Sequence, residues 1–341
     1  MGPELRLDHL QRLSTPLGLH EHALHTEPRT EHGYCVDDVA RCLVLTSRIA
    51  DPSPEALSLA DLCLTFLLAA QHDDGSTHNR RNPDGSWGDE VSTDDHWGRS
   101  LWALGTAAAT LDDPVLAARA LEGAHRAVKQ RSRWPRATAY AVLGADQVLR
   151  RDPSDASARR LLGESRATLG RARRLPDWPW PEPRLRYANA VLPEAMIVLG
   201  RRLAQPSLTS QGLMLLEWLL DVQTVGNHLS VVPHGGRGPG DAVGGHDQQP
   251  IEVACLAEAC RTAYEATSDR RWLDALVLCR AWFDGANDEG LVMVDAVSGG
   301  GFDGLEHGSV NANQGAESTL AWLSTCQVSA VATATVSMVR R

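Results

Sequence analysis

The chain has 341 residues, of which 43% are hydrophobic and 22% are charged, a composition that is typical of a folded globular protein and excludes a disordered or fibrous one. The formal net charge is −10 and the basic residues form no cluster, so the sequence argues against nucleic acid as a partner. Lys129 is the single lysine, which argues against a mechanism based on a lysine Schiff base or a Walker lysine.

Six apolar segments recur along the chain, and each one follows a cluster of polar residues. They begin near residues 34, 93, 136, 188, 249 and 313, as in HGYCVDDVARCLVL and STDDHWGRSLWALG. Helices that are apolar on almost every side are buried in folded proteins. We therefore expect six buried helices whose first turns carry polar side chains.

Helices with a one-sided apolar stripe alternate with these buried segments. In PVLAARALEGAHRAVKQ the apolar residues recur at 117, 120, 121, 124 and 128, and charged residues occupy the opposite face. This pattern is typical of a half-exposed outer helix. Comparable segments precede the other buried helices, so outer and inner helices alternate six times.

Repeated helix pairs form either an open solenoid or a closed ring. A solenoid needs polar caps at both ends, but the first and last inner segments are as apolar as the middle ones. The sequence therefore predicts an all-α protein with an (α/α)6 toroid. We expect a single domain over residues 1–330, followed by a C-terminal tail at 331–341.

Three long connections carry Asp-Gly and Gly-Gly turn signals beside short β-like runs. They occupy residues 72–92, 225–246 and 289–313, and each leads from an outer helix into an inner one. Such patterns predict short β-hairpins. Because all three connections run in the same direction, we expect the hairpins to gather on one face of the ring.

Seven cysteines lie mostly in apolar helical runs, and the sequence has no Cys-x-x-Cys spacing. We interpret them as buried thiols in a reducing compartment. The N-terminus has no apolar segment typical of a signal peptide, and no apolar stretch reaches the length of about 18 residues that a membrane span requires. The sequence thus predicts a cytoplasmic protein without membrane association.

In a closed ring the first turns of the inner helices meet in one crater. Their carboxylates are those of Asp37, Asp38, Asp94, Asp95, Glu194, Asp247, Glu252 and Glu317. An aspartate at a helix start is also a good N-cap, which explains any single one of them. The three glutamates, however, lie inside their helices, where no cap is required and an unpaired buried carboxylate is costly.

Carboxylates, amides, arginine and tryptophan around one crater suit a neutral polyhydroxylated ligand, because these groups hydrogen bond to hydroxyls and stack on sugar rings. Glycoside hydrolysis also requires two carboxyl groups in opposite protonation states, about 6.5–9.5 Å apart when the anomeric centre inverts. An indole beside a carboxyl group, such as Trp97 near Asp95, favours the protonated form.

Five blocks of the sequence together resemble a known family. HGYCVDDVAR, STDDHWGRSLWALG, WPWPEPRLRYANAVLPEA, GGHDQQPIEVACLAEA and NQGAESTLAWL, between about residues 15 and 325, resemble the six-hairpin glycosidase-like proteins. The likeness is to a bacterial group often fused to, or encoded beside, glycosyltransferases and mannoside phosphorylases. The resemblance implies the (α/α)6 fold, activity on carbohydrates and a functional association with a glycosyltransferase.

We predict a glycoside hydrolase that acts on an oligosaccharide or glycoside, with inversion and without a cofactor. Asp38 is the predicted general base and Asp95 or Glu317 the general acid, and the two roles remain interchangeable at this point. Trp178, Trp180, Tyr187 and Asn189 are predicted to shape a sugar subsite. The other predicted substrate-binding residues, several of which the resemblance implies, are Asp37, Asp94, His96, Arg99, Glu194, His246, Asp247, Gln248, Gln249, Glu252 and Asn313.

Two other functions remain open. Sugar epimerases of the same fold use histidines as acid and base, and His96, His234 and His246 are the candidates here. A non-catalytic sugar-binding module that partners a glycosyltransferase would retain the tryptophans and amides. The histidines of LHEHALH lack the order of a His-Glu-x-x-His zinc motif, so we predict no metal site.

Overall fold

The computed structural model describes residues 5–170 and 177–339. In these residues the helices are α1 (Asp8–Leu13), α2 (Val36–Ser47), α3 (Pro54–Ala70), α4 (Asp95–Thr110), α5 (Pro114–Ala127), α6 (Pro135–Arg151), α7 (Ala156–Leu169), α8 (Val191–Arg202), α9 (Pro206–Val222), α10 (Pro250–Thr267), α11 (Arg271–Phe283) and α12 (Ala316–Val339). Of the predicted tail, residues up to 339 continue α12, and residues 340 and 341 lie outside the described part of the chain.

The even-numbered helices form a closed inner ring. Each of α2, α4, α6, α8, α10 and α12 packs against the next, and α12 packs against α2. The odd-numbered helices form the outer layer: α3 packs on α2, α5 on α4, α7 on α6, α9 on α8, α11 on α10 and α1 on α12. The all-α (α/α)6 toroid predicted from the sequence is therefore confirmed.

The buried residues follow the two sequence patterns, fully apolar in the inner helices and one-sided in the outer helices. In α4 nearly every residue from His96 to Ala108 is buried, whereas in α5 the buried residues include Ala117, Ala120 and Ala124 of the predicted stripe. All seven cysteines are buried and unpaired. Among the described helices, none combines the length and the apolar character that crossing a bilayer would need.

Short antiparallel hairpins accompany the start of the inner helices. The strands are β1 (Ser14–Thr15), β2 (Gly18–Leu19), β3 (Ala23–Leu24), β4 (Glu27–Pro28), β5 (Tyr34–Cys35), β6 (Arg80–Arg81), β7 (Thr224–Val225), β8 (His228–Leu229), β9 (Gly304–Glu306) and β10 (Ser309–Asn311). The pairs β7–β8 and β9–β10 are hairpins within two of the predicted connections, and β6 in the third connection pairs with β5. The hairpins β1–β2 and β3–β4 were not predicted.

The centre of the ring is filled with side chains at mid-height. Leu143, Val191, Ile251 and Leu320 surround a cavity of only about 30 Å³, which has room for one or two water molecules. The hollow of the toroid is thus shallow and ends on an apolar floor.

Glycines allow α4 and α6 to approach each other closely. A Cβ atom at Gly98 would lie 2.3 Å from the carbonyl oxygen of Ala137, and one at Gly144 would lie 2.5 Å from the backbone of Leu101. Since backbone atoms cannot move aside as the end of a flexible side chain can, these positions exclude a larger residue without a shift of the helices.

We expect Gly144→Ala to lower the free energy of unfolding by about 1–3 kcal/mol, because the added methyl group overpacks the contact between α4 and α6. Gly163→Ala is the matched control. Gly163 is exposed inside α7 and a Cβ atom there meets nothing within 4 Å, so alanine should stabilise the helix by about 0.5–1 kcal/mol. Urea denaturation measures both changes, and equal effects would contradict the close packing.

Candidate functional site

The first turns of the inner helices and the loops before them surround two adjoining cavities. One cavity, of about 480 Å³, is lined by Arg41, Glu252 and Glu317 among others, and we call it the Arg41 cavity. The other, of about 1000 Å³, is lined by Asp95 among others, and we call it the Asp95 cavity. Arg99, Arg186 and Tyr187 line both, so the two cavities form one crater.

The polar side chains at these helix starts do not serve as caps. The outer helices α3, α5 and α7 begin with a side-chain N-cap from Ser53, Asp113 and Asp155, respectively. The inner helices α2, α4, α6, α8 and α10 begin without a side-chain cap hydrogen bond. The carboxylates of the inner helices are therefore directed to other partners.

Arg41 connects two of these carboxylates. Its guanidinium donates to Oδ1 of Asp38 at 2.6 Å and contacts Oε2 of Glu317 at 2.7 Å, so it joins α2 to α12. The Asp38 side chain is 4% exposed and that of Glu317 is 40% exposed. Burial raises the pKa of Asp38 to about 8; Arg41 opposes this rise, and the nearby Glu317 adds to it. Asp38 is therefore protonated more readily than an ordinary aspartate.

The pKa of the neighbouring Asp37 is shifted in the opposite direction. Burial disfavours its ionisation, but Arg99 and Arg41 lower the pKa of Asp37 to about 2. The Arg99 guanidinium donates to Oδ1 of Asp37 at 2.6 Å and lies 4.7 Å from the centre of the Tyr140 ring. The pKa values of two consecutive aspartates are thus shifted in opposite directions, because Asp37 has a close arginine to itself and Asp38 shares an arginine with a second carboxylate.

Asp95 accepts a hydrogen bond from a tyrosine on the other side of the crater. The Tyr187 hydroxyl donates to Oδ2 of Asp95 at 2.5 Å. Burial and the contact with Asp95 raise the pKa of Tyr187, so it is a neutral donor at neutral pH. Arg136 positions Tyr187, since its Nε donates to the Tyr187 carbonyl at 2.6 Å and its guanidinium lies 4.8 Å from the ring centre.

Glu252 holds the turn before α8. Its carboxylate accepts from the backbone N–H groups of Ala188 and Asn189, and from Nδ2 of Asn189 at 2.8 Å. Burial raises the pKa of Glu252 to about 7, although these donors and Arg136 favour the ionised form. Glu252 also lines the Arg41 cavity, so it combines a structural contact with a place in the crater.

The structure brings nine of the predicted residues to the crater. These are Asp37, Asp94, Asp95, His96, Arg99, Tyr187, Gln249, Glu252 and Glu317. His96 is fixed there, because its Nε2 lies 2.9 Å from the Thr77 carbonyl and 3.3 Å from the Ser92 hydroxyl.

The predicted role of Asp38 as general base does not agree with its surroundings. Its side chain is only 4% exposed, and its Oδ1 accepts a hydrogen bond from Arg41 at 2.6 Å. A water molecule in the crater therefore has little access to this carboxyl group. Asn189 also lies behind the crater surface, fully buried between Arg136 and Glu252.

Trp178 and Trp180 do not form the predicted sugar subsite. Trp180 is fully buried with its ring centre 6.0 Å from that of Trp218 on the outer helix α9, in a stacked arrangement. Trp178 packs edge-on against the same ring, and its Nε1 donates to the carbonyl of Glu182. Both indoles anchor the segment before α8 to the outer layer, so their faces are covered by protein.

Glu194 faces the opposite end of the ring. It accepts a hydrogen bond from the Thr262 hydroxyl at 2.8 Å and lines a cavity of about 300 Å³ together with Arg48 and Arg261 near the ends of α2 and α10. Burial and the nearby Glu258 raise its pKa to about 7. The structure therefore brings Glu194 to the opposite cavity and not to the crater of the predicted substrate contact.

Four further predicted residues support the loops around the crater. Gln248 is fully buried and binds Asp288 and Trp282 through its side chain. Asn313 accepts a hydrogen bond from the backbone of His25. His246 contacts Glu289 on the rim, and the next residue, Asp247, is exposed.

Three residues at the crater are not among the predicted site residues: Arg41, Trp134 and Arg136. Arg41 lies one turn further along α2 than Asp37, where no carboxylate drew attention to it. Trp134 and Arg136 occupy the start of α6, which has no acidic residue in its first turn. Both line the Asp95 cavity, and the indole of Trp134 is 46% exposed. The first turn of every inner helix is expected to face the crater, and residue 136 is one of these starts. This expectation alone would have predicted Trp134 and Arg136 as crater residues.

No model of a known protein family matches the chain, and no curated protein matches it in sequence. Several solved structures match its fold. Cellobiose 2-epimerase from Spirochaeta thermophila gives a TM-score of 0.70 at 16% identity, over 96% of this chain and 93% of that chain. D-mannose isomerase gives 0.70 at 11% identity, over 95% and 94%. A GH76 α-mannanase from Bacteroides thetaiotaomicron gives 0.65 at 9% identity, over 97% and 95%. At these identities the likeness shows the fold.

Glu252 makes the stability of the protein depend on pH. Its pKa rises from the ordinary value of 4.5 to about 7 on folding, so folding favours the protonated form. This stabilisation is fully present below pH 4.5 and is lost as the pH rises through 7. We expect this loss of stability to be absent in Glu252→Gln. The difference in free energy of unfolding, variant minus wild type, should therefore increase by up to about 3 kcal/mol between pH 4.5 and 7.5.

Urea denaturation at several pH values measures this change. Glu122→Gln on α5 is the control, because the Glu122 side chain is 74% exposed and its replacement should leave the pH profile parallel to that of the wild type. A Glu252→Gln profile that also runs parallel to wild type would contradict the raised pKa.

Proposed function

We propose that the protein is a glycoside hydrolase and that Asp95 and Glu317 are its catalytic pair. The observation that carries the proposal is their placement on either side of Arg99 and Tyr187, with Asp95 in one cavity of the crater and Glu317 in the other. Two carboxyl groups that flank a sugar-sized space are the requirement of glycosidic bond hydrolysis.

We assign the general base to Glu317 and the general acid to Asp95. The Arg41 guanidinium lies 2.7 Å from Oε2 of Glu317 and orients this half-exposed carboxylate at the crater, where it would remove a proton from the attacking water. As the general acid, Asp95 would carry its proton on Oδ1, because Oδ2 accepts the Tyr187 hydroxyl, and it would pass this proton to the leaving oxygen. Water attacks the anomeric carbon from the Glu317 side while the bond to the leaving oxygen breaks, which inverts the anomeric configuration.

Trp134 is the proposed stacking surface for a sugar ring. It lines the Asp95 cavity and keeps 46% of its surface exposed, in contrast to the covered indoles of Trp178 and Trp180. The guanidinium of Arg133 lies 4.5 Å from the centre of the Trp134 ring, so a sugar would use the opposite face. Arg186 and Gln249 supply further hydrogen-bond groups for hydroxyls. An association with a glycosyltransferase stays a prediction.

We expect Asp95→Asn and Glu317→Gln each to reduce turnover by about 10²–10⁴-fold, because each variant removes one proton-transfer group. The release of reducing sugar from a panel of oligosaccharides and aryl glycosides measures the loss. An aryl glycoside with a good leaving group should restore turnover to Asp95→Asn and not to Glu317→Gln, since only the acid assists departure of the leaving group.

Asp112→Asn is the matched control, because Asp112 is exposed beyond the C-terminal end of α4. Its turnover should equal that of the wild type. Wild-type turnover in both catalytic variants would refute the pair, and rescue of Glu317→Gln alone would exchange the two roles.

A sugar epimerase is the second candidate. Cellobiose 2-epimerase and D-mannose isomerase are among the structures of the same fold, and His234 lines the Arg41 cavity. An epimerase removes a proton from a sugar carbon and returns one to it, so it exchanges that proton with solvent. The candidate is weakened by His96, whose ring is already bound to Thr77 and Ser92.

Incubation of reducing disaccharides with the enzyme in D2O distinguishes the two functions. A hydrolase leaves the carbon-bound protons at C2 of the sugar in place, and we expect no deuterium there by NMR. Deuterium at C2 that disappears in His234→Ala would establish the epimerase instead. Release of monosaccharides without deuterium at C2 is the result expected from the proposed catalytic pair.

A further inference from the structure

A compact cluster of two histidines and a glutamate lies on the rim of the crater. His246 lies in the loop before α10, Glu289 follows α11, and His307 is in the turn between β9 and β10. Their nitrogen and oxygen atoms lie within 4.8 Å of one another. Nε2 of His246 is 2.6 Å from Oε1 of Glu289, and Nδ1 of His307 is 3.4 Å from the same oxygen.

These side chains have the chemistry of a zinc site. Zinc binds imidazole nitrogen and carboxylate oxygen at about 2.0–2.2 Å in tetrahedral geometry, so the atoms of neighbouring ligands are separated by about 3.3 Å. The contacts of Glu289 with His246 and His307 bracket this separation. We propose that His246, Glu289 and His307 bind one zinc ion, with water as the fourth ligand.

The three loops are held together by contacts that do not depend on an ion. Oδ1 of Asn287 accepts the backbone N–H of Glu289 and fixes that turn. Nε2 of Gln248 donates to Oδ2 of Asp288 at 2.6 Å, which joins the loop of His246 to the loop of Glu289. The backbones of Gln248 and Leu305 pair and join the first loop to β9. The ligand set is therefore brought together before an ion binds, which lowers the entropic cost of binding.

Within the described residues, two other clusters of His, Cys, Asp and Glu are as compact. The cluster around His125 uses Asp155 as the N-cap of α7. The cluster around Cys35 uses Glu21 as the partner of Arg80. Each has at most one imidazole, whereas the rim cluster has two, and imidazole is the ligand that zinc prefers in mixed sites.

The zinc ion would also fix part of the crater. The carbonyl of Asp247, next to His246, accepts a hydrogen bond from the backbone N–H of His234 at 2.8 Å, and His234 lines the Arg41 cavity. An ion that holds His246 therefore restrains the loop that shapes this cavity. The sequence suggests only the histidines near the N-terminus as metal ligands, because His246 and His307 are far apart in the chain.

Isothermal titration of the metal-stripped full chain with zinc chloride tests the proposal. We expect one zinc ion per chain, and an affinity that falls by more than about 10-fold in His246→Gln and in His307→Gln. His72→Gln is the control, because His72 is exposed and lies outside the cluster; its affinity should be that of the wild type. Cobalt in place of zinc should give the visible absorption of a tetrahedral ion.

The folding of each variant is verified by its circular dichroism and by its melting temperature without zinc, which should equal the wild-type value. The absence of saturable binding to the wild type would overturn the proposal. Unchanged zinc affinity in the double variant of His246 and His307 would equally overturn it, because the ion would then bind elsewhere. These measurements do not require enzymatic activity, so they stand apart from the test of the catalytic pair.

Discussion

Ion pairs between neighbouring inner helices, each with a buried arginine, determine the character of the crater. Asp37 of α2 is bound to Arg99 of α4, and Glu317 of α12 is bound to Arg41 of α2. The cost of desolvating such charges offsets most of their attraction, so these pairs add little net stability. They instead fix the relative position of three consecutive helices around the closure of the ring. The closure of the fold and the geometry of the site therefore depend on the same contacts.

The two ends of the ring have opposite electrostatic requirements. The inner helices are parallel, so their N-termini favour negative charge at the crater and their C-termini favour positive charge at the other end. Arginines accordingly occupy the second end, where Arg48 and Arg261 share Glu258 and Arg202 binds Asp146. This complementarity agrees with the carboxylates that open to the ligand space at the crater, whereas arginines occur at both ends, since Arg41 and Arg99 also line the crater.

The sequence predicted the fold well because the alternation of fully apolar and one-sided helices is a property of each segment. It predicted the site less completely. Asp95 and Glu317 were found from their position at helix starts, but Glu194 lies one turn inside α8, where its direction depends on how α8 packs against α10. The tryptophans show the same limit, since composition cannot tell the covered Trp180 from the open Trp134.

The apolar floor at mid-height determines how ligands enter and leave the crater. A crater that is closed at its floor has one opening and forms no channel through the ring, so a ligand must leave through the opening by which it entered. Release of one ligand then competes with binding of the next at the same opening. A long polymer can reach the floor of the crater only with one end or with a bend. The side chains of Leu143 and Ile251, which surround the narrow centre of the ring, thereby limit the shapes that the protein can accept.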